Sequence, residues 1–544
     1  WSTNTAWHLM KAREAGIPVT CVDPRFTDTT ATLAQRWIPI RPGTDSAMMV
    51  AMAFVMITEN LQDQRFLDTY TVGFQKFKDY VLGEEDRVPK TPEWAEAISG
   101  VPAQTIAGLA REYATTKPAA LITGFSPGRS AFGEQYHRSA MTLAAMTGNV
   151  GIHGGNAAGS EISPVGSLFG HQLPVPPNPV DKKLPFKGSS LDTFAKAKQR
   201  VHIAQVWDAL LRGRQGGYPT DYKLAYFTCV NYLNQFPNVN KGIEALKKTE
   251  FVVVHDTFLT PTARYADIVL PVNTFLERND FFRPWMSGPY YIFGNKAIDP
   301  LHGTKSDFDI ARELAPRLGV SDYSDKTEDE WLRDIFQNSP DMVRDIPDYD
   351  AFRRQGQHKI QTPGPLVAFE KEVRDPENNP FPTPSGKIEI FSQRLADIDS
   401  PLTPPIPSYI EPWEGPSDPL REKFPLQLIT VHFKRRAHST FDNIPWLREL
   451  EAQRVQIGTL DAQERGIRDG DLVRVFNDRG EMRIPAWVTE RIMTGVVAIP
   501  EGAWFDPDEN GVDLGGCVNV LSRDQISPGG AFPTNTALVQ VTRA

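Results

Sequence analysis

Apolar residues recur at helical spacing from the start of the chain. Ala6, Trp7, Leu9 and Met10 fall within Thr5 to Ala15, and Gly16 supplies a stop. Ile17 to Val22 reads as a short strand, followed by the polar turn Asp23-Pro24-Arg25. A second apolar run, Trp37 to Ile40, ends in Arg41-Pro42-Gly43-Thr44-Asp45, where Thr44 or Asp45 can cap the long helix that follows. Pro102 suits the first turn of a helix reaching about Thr115. Ala119 to Thr123 reads as the next strand, and Glu134 to Thr147 as the next helix, with Gly148 as its stop. Strand and helix alternate, which predicts an α/β fold with doubly wound, mostly parallel sheets.

Beyond residue 158 the pattern loosens. Residues 160 to 190 are rich in Pro, Gly and Ser and read as a long surface excursion. Strand signals return at Leu224 to Thr228 and Phe251 to Val254, and a helix begins near Ser306 with Asp309 behind it. Residues 321 to 424 carry many Pro and Asp with little periodicity, and Pro401 to Pro419 reads as a linker. From about Phe424 the character changes. Asp461 with Glu464 opens a short helix ending at Gly466, and Leu472 to Phe476, Met482 to Val488 and Val496 to Ile499 read as strands. The turns Asp469-Gly470-Asp471 and Asn477-Asp478-Arg479-Gly480 punctuate them, which predicts a C-terminal β-barrel. The expected domains are therefore 1–158, 159–420 and 421–544.

Composition narrows the class. Of 544 residues, 40% are hydrophobic and 23% charged, a globular balance that excludes a disordered chain or a coiled coil. The charge is 58 − 67 = −9 with no basic tract, which argues against a nucleic-acid partner. The longest apolar run, Ala47 to Ile57, is too short to cross a bilayer. Cys21, Cys229 and Cys517 are the only cysteines and none forms a Cys-x-x-Cys pair, so the chain has no signature for zinc, an iron–sulfur cluster or a disulfide framework. It starts at Trp1 without Met and without a targeting segment, and the expectation is that a natural segment precedes it.

Several loops have two readings. Asp23-Pro24-Arg25 is either a solvated ion pair in a turn or a ligand site at a sheet edge. In the second case the carboxylate takes ribose hydroxyls or guanine N–H donors and the guanidinium a phosphate. Arg41 to Asp45 is either a capped turn with Arg41 in solvent or an anion site at a helix N-terminus. Gly124, Pro127, Gly128, Arg129 and Gly133 serve tight turns or the close approach of a large flat ligand, but match neither the dinucleotide fingerprint nor a Walker loop. His255-Asp256 is a base with its orienting acid or a hydrogen-bonded strand end. His432 and His438 flank Arg435 and Arg436, with Ser439 and Thr440 beside them. Six residues apart, the two imidazoles cannot share a helix face, which leaves a loop offering polar groups to an anion. The remaining histidines (His8, His137, His153, His171, His202, His302, His358) read as ordinary surface or core residues, and no Gly-x-Ser-x-Gly elbow is present.

In order and spacing, five segments resemble motifs of the molybdopterin oxidoreductases of the dimethyl sulfoxide reductase family. They are Val22-Asp23-Pro24-Arg25, Ile40 to Asp45, Thr147 to Gly151 with Gly154-Gly155-Asn156, Thr262-Ala263 with Ala266 to Pro271, and Asn477 to Gly480. His438 to Phe441, Pro500 to Phe505, Gly515 to Leu521 and Asn535 to Val541 are similar to the subgroup whose catalytic subunits belong to membrane-linked, three-subunit complexes. The resemblance implies a barrel of the double-psi type and a molybdenum (or tungsten) ion held by two pterin guanine dinucleotides. By the same resemblance, Asp23, Arg25, Arg41, Gly43 and Asp45 line one dinucleotide, and Gly124, Pro127 and Arg129 are cofactor-binding. Asn231, Asn234, Gln235, Asp256 and Asp267 line the other. His432, Arg435, His438, Ser439, Thr440, Asn519 and Asn535 close over the pterins.

The implied reaction is two-electron reduction of an S-oxide or N-oxide such as dimethyl sulfoxide, with the oxygen atom passing to molybdenum. Other members of the same fold act on selenate, nitrate or formate, or catalyse hydration or transhydroxylation. A catalytically inert fragment is the competing reading. The implied partners are an iron–sulfur electron-transfer subunit and a membrane-anchor subunit, on the periplasmic side of the membrane. No catalytic residue or metal ligand is assigned within the chain. The family's metal ligand and its [4Fe–4S] cysteine motif are expected upstream of Trp1.

Overall fold

In the computed structural model, which describes residues 5–158, 201–218, 220–282, 290–359, 364 and 367–544, the most apolar stretch becomes the helix Asp45–Thr58. It is apolar on every side and is therefore buried on every side. Helices Phe74–Leu82, Pro92–Ser99, Ala103–Thr115 and Glu134–Met146 pack around it. Their ends follow local chemistry: Thr91 accepts from the Trp94 N–H, Pro92 opens the first turn, and Gly100 closes the helix at φ 74°. Strands Thr20–Val22 and Arg36–Ile38 pair in parallel beside them. The expected surface excursion at 160 to 190, with His171, lies outside the described residues.

The expected strand Ala119 to Thr123 does not form. A strand needs a neighbour's ladder, and here side chains take that role: Ala119 N–H donates to Asn149 Oδ1 (3.0 Å) and Gly124 N–H to the Tyr136 hydroxyl (3.1 Å).

The chain divides into two compact units, 1–5 with 162–235 and 241–365, and 6–161 with 236–240 and 366–544. By contact, residues 366–420 thus cluster with the first and last lobes, whereas the sequence pattern grouped them with the middle one. The smaller unit holds a parallel sheet, Leu224–Phe227, Phe251–Asp256 and Ile268–Pro271, whose central strand buries Val252, Val253 and Val254 in succession. It also holds an antiparallel sheet, Asp280–Phe282, Tyr290–Gly294 and Gln357–Lys359.

The expectation of little structure after residue 321 is corrected by the helices Glu328–Gln337, Pro340–Asp345 and Tyr349–Gln355. The first does carry a helical period in Trp331, Leu332, Ile335 and Phe336, which the Pro- and Asp-rich surroundings mask. A Thr327–Glu330 capping box starts that helix, and an aromatic cluster of Tyr291, Phe293, Phe336, Tyr349 and Phe352 holds all three. The stretch Pro401 to Pro419 is likewise no free linker. Its prolines cannot donate, but their carbonyls accept: Arg138 donates to the oxygens of Pro404 and Pro405 (2.8 Å each), while Ile406, Ser408 and Glu414 are buried.

In the larger unit a closed six-stranded barrel runs Leu426–Val431, Val496–Pro500, Val455–Gly458, Glu481–Thr489, Leu472–Phe476, Ala537–Arg543. Burial alternates along Leu472–Phe476 and Glu481–Thr489, so their apolar positions face the interior. Two pairings are parallel, Leu426–Val431 with Val496–Pro500 and Val455–Gly458 with Glu481–Thr489. The remaining four are antiparallel. An α/β chain ending in a β-barrel is thus what forms, with parallel pairing in the α/β part except in the sheet Asp280–Phe282, Tyr290–Gly294 and Gln357–Lys359. No helix among the described residues is long and apolar enough to cross a membrane.

Candidate functional site

Asp23 and Arg25 leave the end of Thr20–Val22. The Arg25 N–H donates to Asp23 Oδ1 (2.7 Å), which folds the turn, and the Arg25 guanidinium donates to Gln456 Oε1 on the barrel (2.8 Å). Burial raises the Asp23 carboxyl above its ordinary value and lowers the Arg25 guanidinium. Asp45, at the start of the buried helix, is pushed up to about 6 by burial, and the nearby Asp23 charge adds to the rise.

Thr44 does not cap that helix in the expected way. Its hydroxyl donates backwards to the Arg41 carbonyl (2.7 Å), and neither it nor the Asp45 carboxylate accepts one of the helix's following N–H groups. Gly43 has φ 78° and lies against Pro412, where a Cβ would stand 3.3 Å from Cγ. Arg41 is not loose in solvent. Its Nη1 donates to the carbonyls of Ala97 (2.9 Å) and Ile98 (3.1 Å), at the C-terminal turn of Pro92–Ser99.

A second cluster joins residues four hundred positions apart. Asn535, buried at the barrel's edge, accepts from the Thr430 N–H (2.9 Å) and hydroxyl (2.5 Å) through Oδ1. Its Nδ2 donates to the Ser126 carbonyl (3.2 Å) and hydroxyl (2.8 Å). Asn535 N–H donates to the Arg129 carbonyl (3.0 Å), and the Arg129 guanidinium lies 4.9 Å above the Phe532 ring. Pro127, Arg129 and Asn535 therefore stand together, with Gly124 exposed three residues upstream of Pro127. Asn519 is buried and accepts from the Ser522 hydroxyl (2.7 Å).

The third cluster lies at the end of Leu426–Val431. His432 Nδ1 and His438 Nδ1 stand 3.1 and 3.0 Å from the same Glu501 oxygen. That hydrogen bond holds the His432 imidazole above its usual value. Burial alone would raise Glu501, but His432, His438 and Arg436 together hold it below the ordinary carboxylate range. Gly502, at φ 90°, passes so close that a Cβ would lie 1.9 Å from the His438 carbonyl oxygen. Arg435 points away to Glu451 (3.5 Å), Ser439 offers its carbonyl to the Trp504 indole (2.7 Å), and Thr440 closes the turn with Ala437.

In the smaller unit, polar groups gather at the carboxyl ends of the parallel strands, the edge where open sheets bind ligands. Asn231 Oδ1 accepts from the Thr262 N–H (3.2 Å) and hydroxyl (2.8 Å). Its Nδ2 is buried with no partner among the described residues. The Thr262 hydroxyl accepts from the Leu233 N–H (2.9 Å), and the Asp256 carboxylate from the Thr260 hydroxyl (2.7 Å) and the Thr257 N–H (2.8 Å). Asn234 is buried beside them and Gln235 is exposed. Asp267 stands apart from this set: its carboxylate accepts from the Val252 N–H (2.7 Å) and fastens the strand edge. Asp256 does not orient His255, whose Nδ1 meets Asp307 (2.8 Å) and whose Nε2 meets the Tyr226 hydroxyl (2.6 Å).

Sequence reasoning missed Glu501, Gln456, Ser126 and Thr262. Glu501 and Thr262 sit inside the quoted motifs, yet nothing in their spacing shows what they face. Gln456 and Ser126 acquire a role only through contacts hundreds of residues distant.

The family profile for molybdopterin oxidoreductase matches residues 3–317, and that for the molydopterin dinucleotide binding domain matches 426–537. The chain is 42% identical to the dimethyl sulfoxide reductase DmsA of Escherichia coli K12, over 99% of this chain and 69% of that protein. It is 34% identical to a trimethylamine-N-oxide reductase of Haemophilus influenzae, over 98% of this chain and 68% of that protein. Acetylene hydratase from Pelobacter acetylenicus shares the fold, with a TM-score of 0.73 at 21% identity over 98% of this chain and 75% of that one.

Proposed function

Since the chain belongs to the molybdopterin oxidoreductase family, we propose that its strand-end clusters are the cradles of that cofactor's guanine dinucleotides, one in each compact unit. The chain is a molybdenum-dependent oxidoreductase, the catalytic subunit of an enzyme that reduces S-oxides and N-oxides. When bound, the molybdenum–pterin group supplies the two-electron chemistry, and the protein supplies position and electrostatics.

The residues fit such a group. Asp23 and Asp45 are two neighbouring, desolvated carboxylates; Arg25 offsets only part of the burial cost at Asp23, and no cation among the described residues offsets that at Asp45. That is an unfavourable arrangement unless a ligand brings donors, and guanine N–H groups or ribose hydroxyls are such donors. This observation carries the reading. Arg25 and the free face of Arg41 take phosphate oxygens, and Gly43, Gly124, Pro127 and Arg129 shape the loops around them. In the smaller unit, the unpartnered Asn231 Nδ2 donates to the second dinucleotide, with Asn234, Gln235 and Asp256 around it. Asp267 supports that site from the strand edge. His432, Arg435, His438, Ser439, Thr440, Asn519 and Asn535 line the barrel side.

Each turnover consumes two electrons and two protons, converting an S-oxide to a sulfide and water. The likeness of the C-terminal segments to catalytic subunits of multisubunit complexes supports an iron–sulfur partner subunit as the electron supply. A membrane-anchor subunit on the periplasmic side and dimethyl sulfoxide as substrate complete the reading.

The test is Asp23→Asn combined with Asp45→Asn. Guanine nucleotide released from the purified protein is expected to fall from two per chain to one or fewer, with molybdenum falling in step. Unchanged guanine content refutes the first cradle.

A further inference from the structure

Helix Glu134–Met146 packs one side against the buried helix Asp45–Thr58. Arg138, Met141 and Thr142, spaced by three and four, share another face and meet the segment 369–407 instead. That segment is pinned beside the helix. Ile388–Glu389 pairs in parallel with Thr71–Val72, and the Ile390 N–H donates to the Val72 carbonyl (3.1 Å). The Phe369 and Phe381 rings lie 5.4 Å apart. Between helix and segment remains a cavity of about 210 Å³, with apolar walls from Met141, Val150, Phe369, Phe381, Ile388 and Ile390. Met141 is 42% exposed and stands at its mouth.

Most polar groups along this cavity are engaged by the chain itself. The Thr142 hydroxyl donates to the Arg138 carbonyl (2.9 Å), and the Thr383 hydroxyl to the Lys387 carbonyl (2.6 Å). Glu389 Oε1 accepts from the Ser385 N–H (3.0 Å). Arg138 differs. A guanidinium carries five N–H donors. Nη1 donates to Gln135 Oε1 (3.2 Å) and the Pro404 carbonyl (2.8 Å), and Nη2 to the Pro405 carbonyl (2.8 Å). The Nε–H and the second Nη2 hydrogen meet no acceptor among the described residues, and together they form the edge that grips a carboxylate as a fork. Burial lowers Arg138 to about 10, and only the charge of Glu134, one turn earlier, works against that cost. Glu134 is itself taken by the Ser527 hydroxyl (2.7 Å) and the Gly529 N–H (2.8 Å).

We propose that this cavity binds a small apolar monocarboxylate, an aromatic or short aliphatic acid, with its carboxylate on the unused edge of Arg138 and its hydrocarbon part between the helix and residues 369–390. The acid brings the counter-charge that a half-buried guanidinium lacks, in the planar geometry that guanidinium matches. Its hydrocarbon part takes apolar wall out of water. Sites for drug-sized ligands run to about 300–1,000 Å³, so the smaller volume here restricts the occupant to a fragment-sized molecule. The site shares no residue with the dinucleotide cradles and does not depend on them.

The test titrates the purified enzyme with phenylacetate, and with its neutral isostere phenylacetamide, by calorimetry. One equivalent of phenylacetate is expected to bind, about tenfold or more tighter than the amide, because hydrogen bonds between charged groups exceed neutral ones by about that factor. In Arg138→Lys, which keeps the charge without the fork, the advantage of the acid is expected to shrink. In Arg138→Gln it is expected to vanish. Arg138 also fastens Pro404 and Pro405, so a second variant leaves it in place. Met141→Trp, at the exposed mouth, fills the cavity and is expected to abolish phenylacetate binding while Tm holds. Guanine and molybdenum contents are expected to stay constant at saturating phenylacetate. Equal affinity for acid and amide, undiminished binding in Met141→Trp, release of guanine by the acid, or no bound equivalent in the unaltered enzyme would each overturn the site.

Discussion

Glu414→Ala removes a largely enclosed ion pair of the larger unit. The Glu414 side chain is 1% exposed, and its two oxygens accept from Arg479 Nη1 and Nη2 at 2.8 Å each. The same carboxylate accepts from the Leu538 N–H on the last barrel strand (2.8 Å). Truncation thus leaves a guanidinium that is only 18% exposed without its counter-charge, and orphans a buried backbone donor. Removing one partner of a buried pair costs about 3–5 kcal/mol, and an orphaned donor costs about 1–3 kcal/mol. The two overlap, because one carboxylate serves both, so a loss of about 4 kcal/mol is expected. At about 2–4 °C per kcal/mol for a large cooperative unit, Tm falls by roughly 10 °C. Scanning calorimetry measures this, and the fluorescence of Trp413, packed 5.3 Å from Phe132, reports whether the same region opens first. Glu414→Leu with Arg479→Met should recover part of the loss, since the only cation left without Glu414 is then the exposed Arg523. A drop under about 2 °C, the size expected of a surface pair, would refute the argument.

Two further outcomes follow from the same contacts. Asp45 has a folded value near 6 against an ordinary 3.8, so its protonated form favours the fold at low pH, and that contribution is lost as pH rises through about 6. Asp45→Asn stays neutral. Its Tm relative to the unaltered protein, both cofactor-free, should therefore improve between about pH 4 and about pH 7, and a pH-independent gap would show that the carboxyl is not desolvated. Asn535→Ala deletes bonds to Thr430 and to Ser126. At about 1 kcal/mol each, less what water restores, we expect a loss of about 2–4 kcal/mol in urea unfolding, together with faster loss of cofactor on dilution. Full stability with full cofactor retention would deny that Asn535 joins the barrel to the 126–134 loop.

Much of the architecture follows from local pattern. The all-round apolar run at 47 to 57 has to be buried, and the alternation at 472 to 488 has to form half-buried strands. Periodicity fails where structure is held by distant partners. Ala119 to Thr123 is apolar enough for a strand, yet Asn149 takes the Ala119 N–H and Tyr136 that of Gly124 just beyond it. Pro401 to Pro419 has a linker's composition, yet Arg138 and Arg479 bind into it. Of the helices after residue 327, Glu328–Gln337 carries a short apolar period that the Pro- and Asp-rich surroundings mask, and all three depend on aromatic packing.

The candidate site divides along the same line. The resemblance named Asp23, Asp45, Asn231 and Asn535 as candidates, because a motif is a local string that one sequence displays. The adjacency of Asp23 to Asp45, the unmet Asn231 Nδ2, the hold of Asn535 on Ser126, and the convergence of His432 and His438 on Glu501 were decided only by the tertiary structure. Such relations depend on strand register and on contacts between segments far apart in the chain. One sequence states which side chains are present, but the distances between them, and so the desolvation, pairing and charge that make them a site, exist only once the backbone has closed around them.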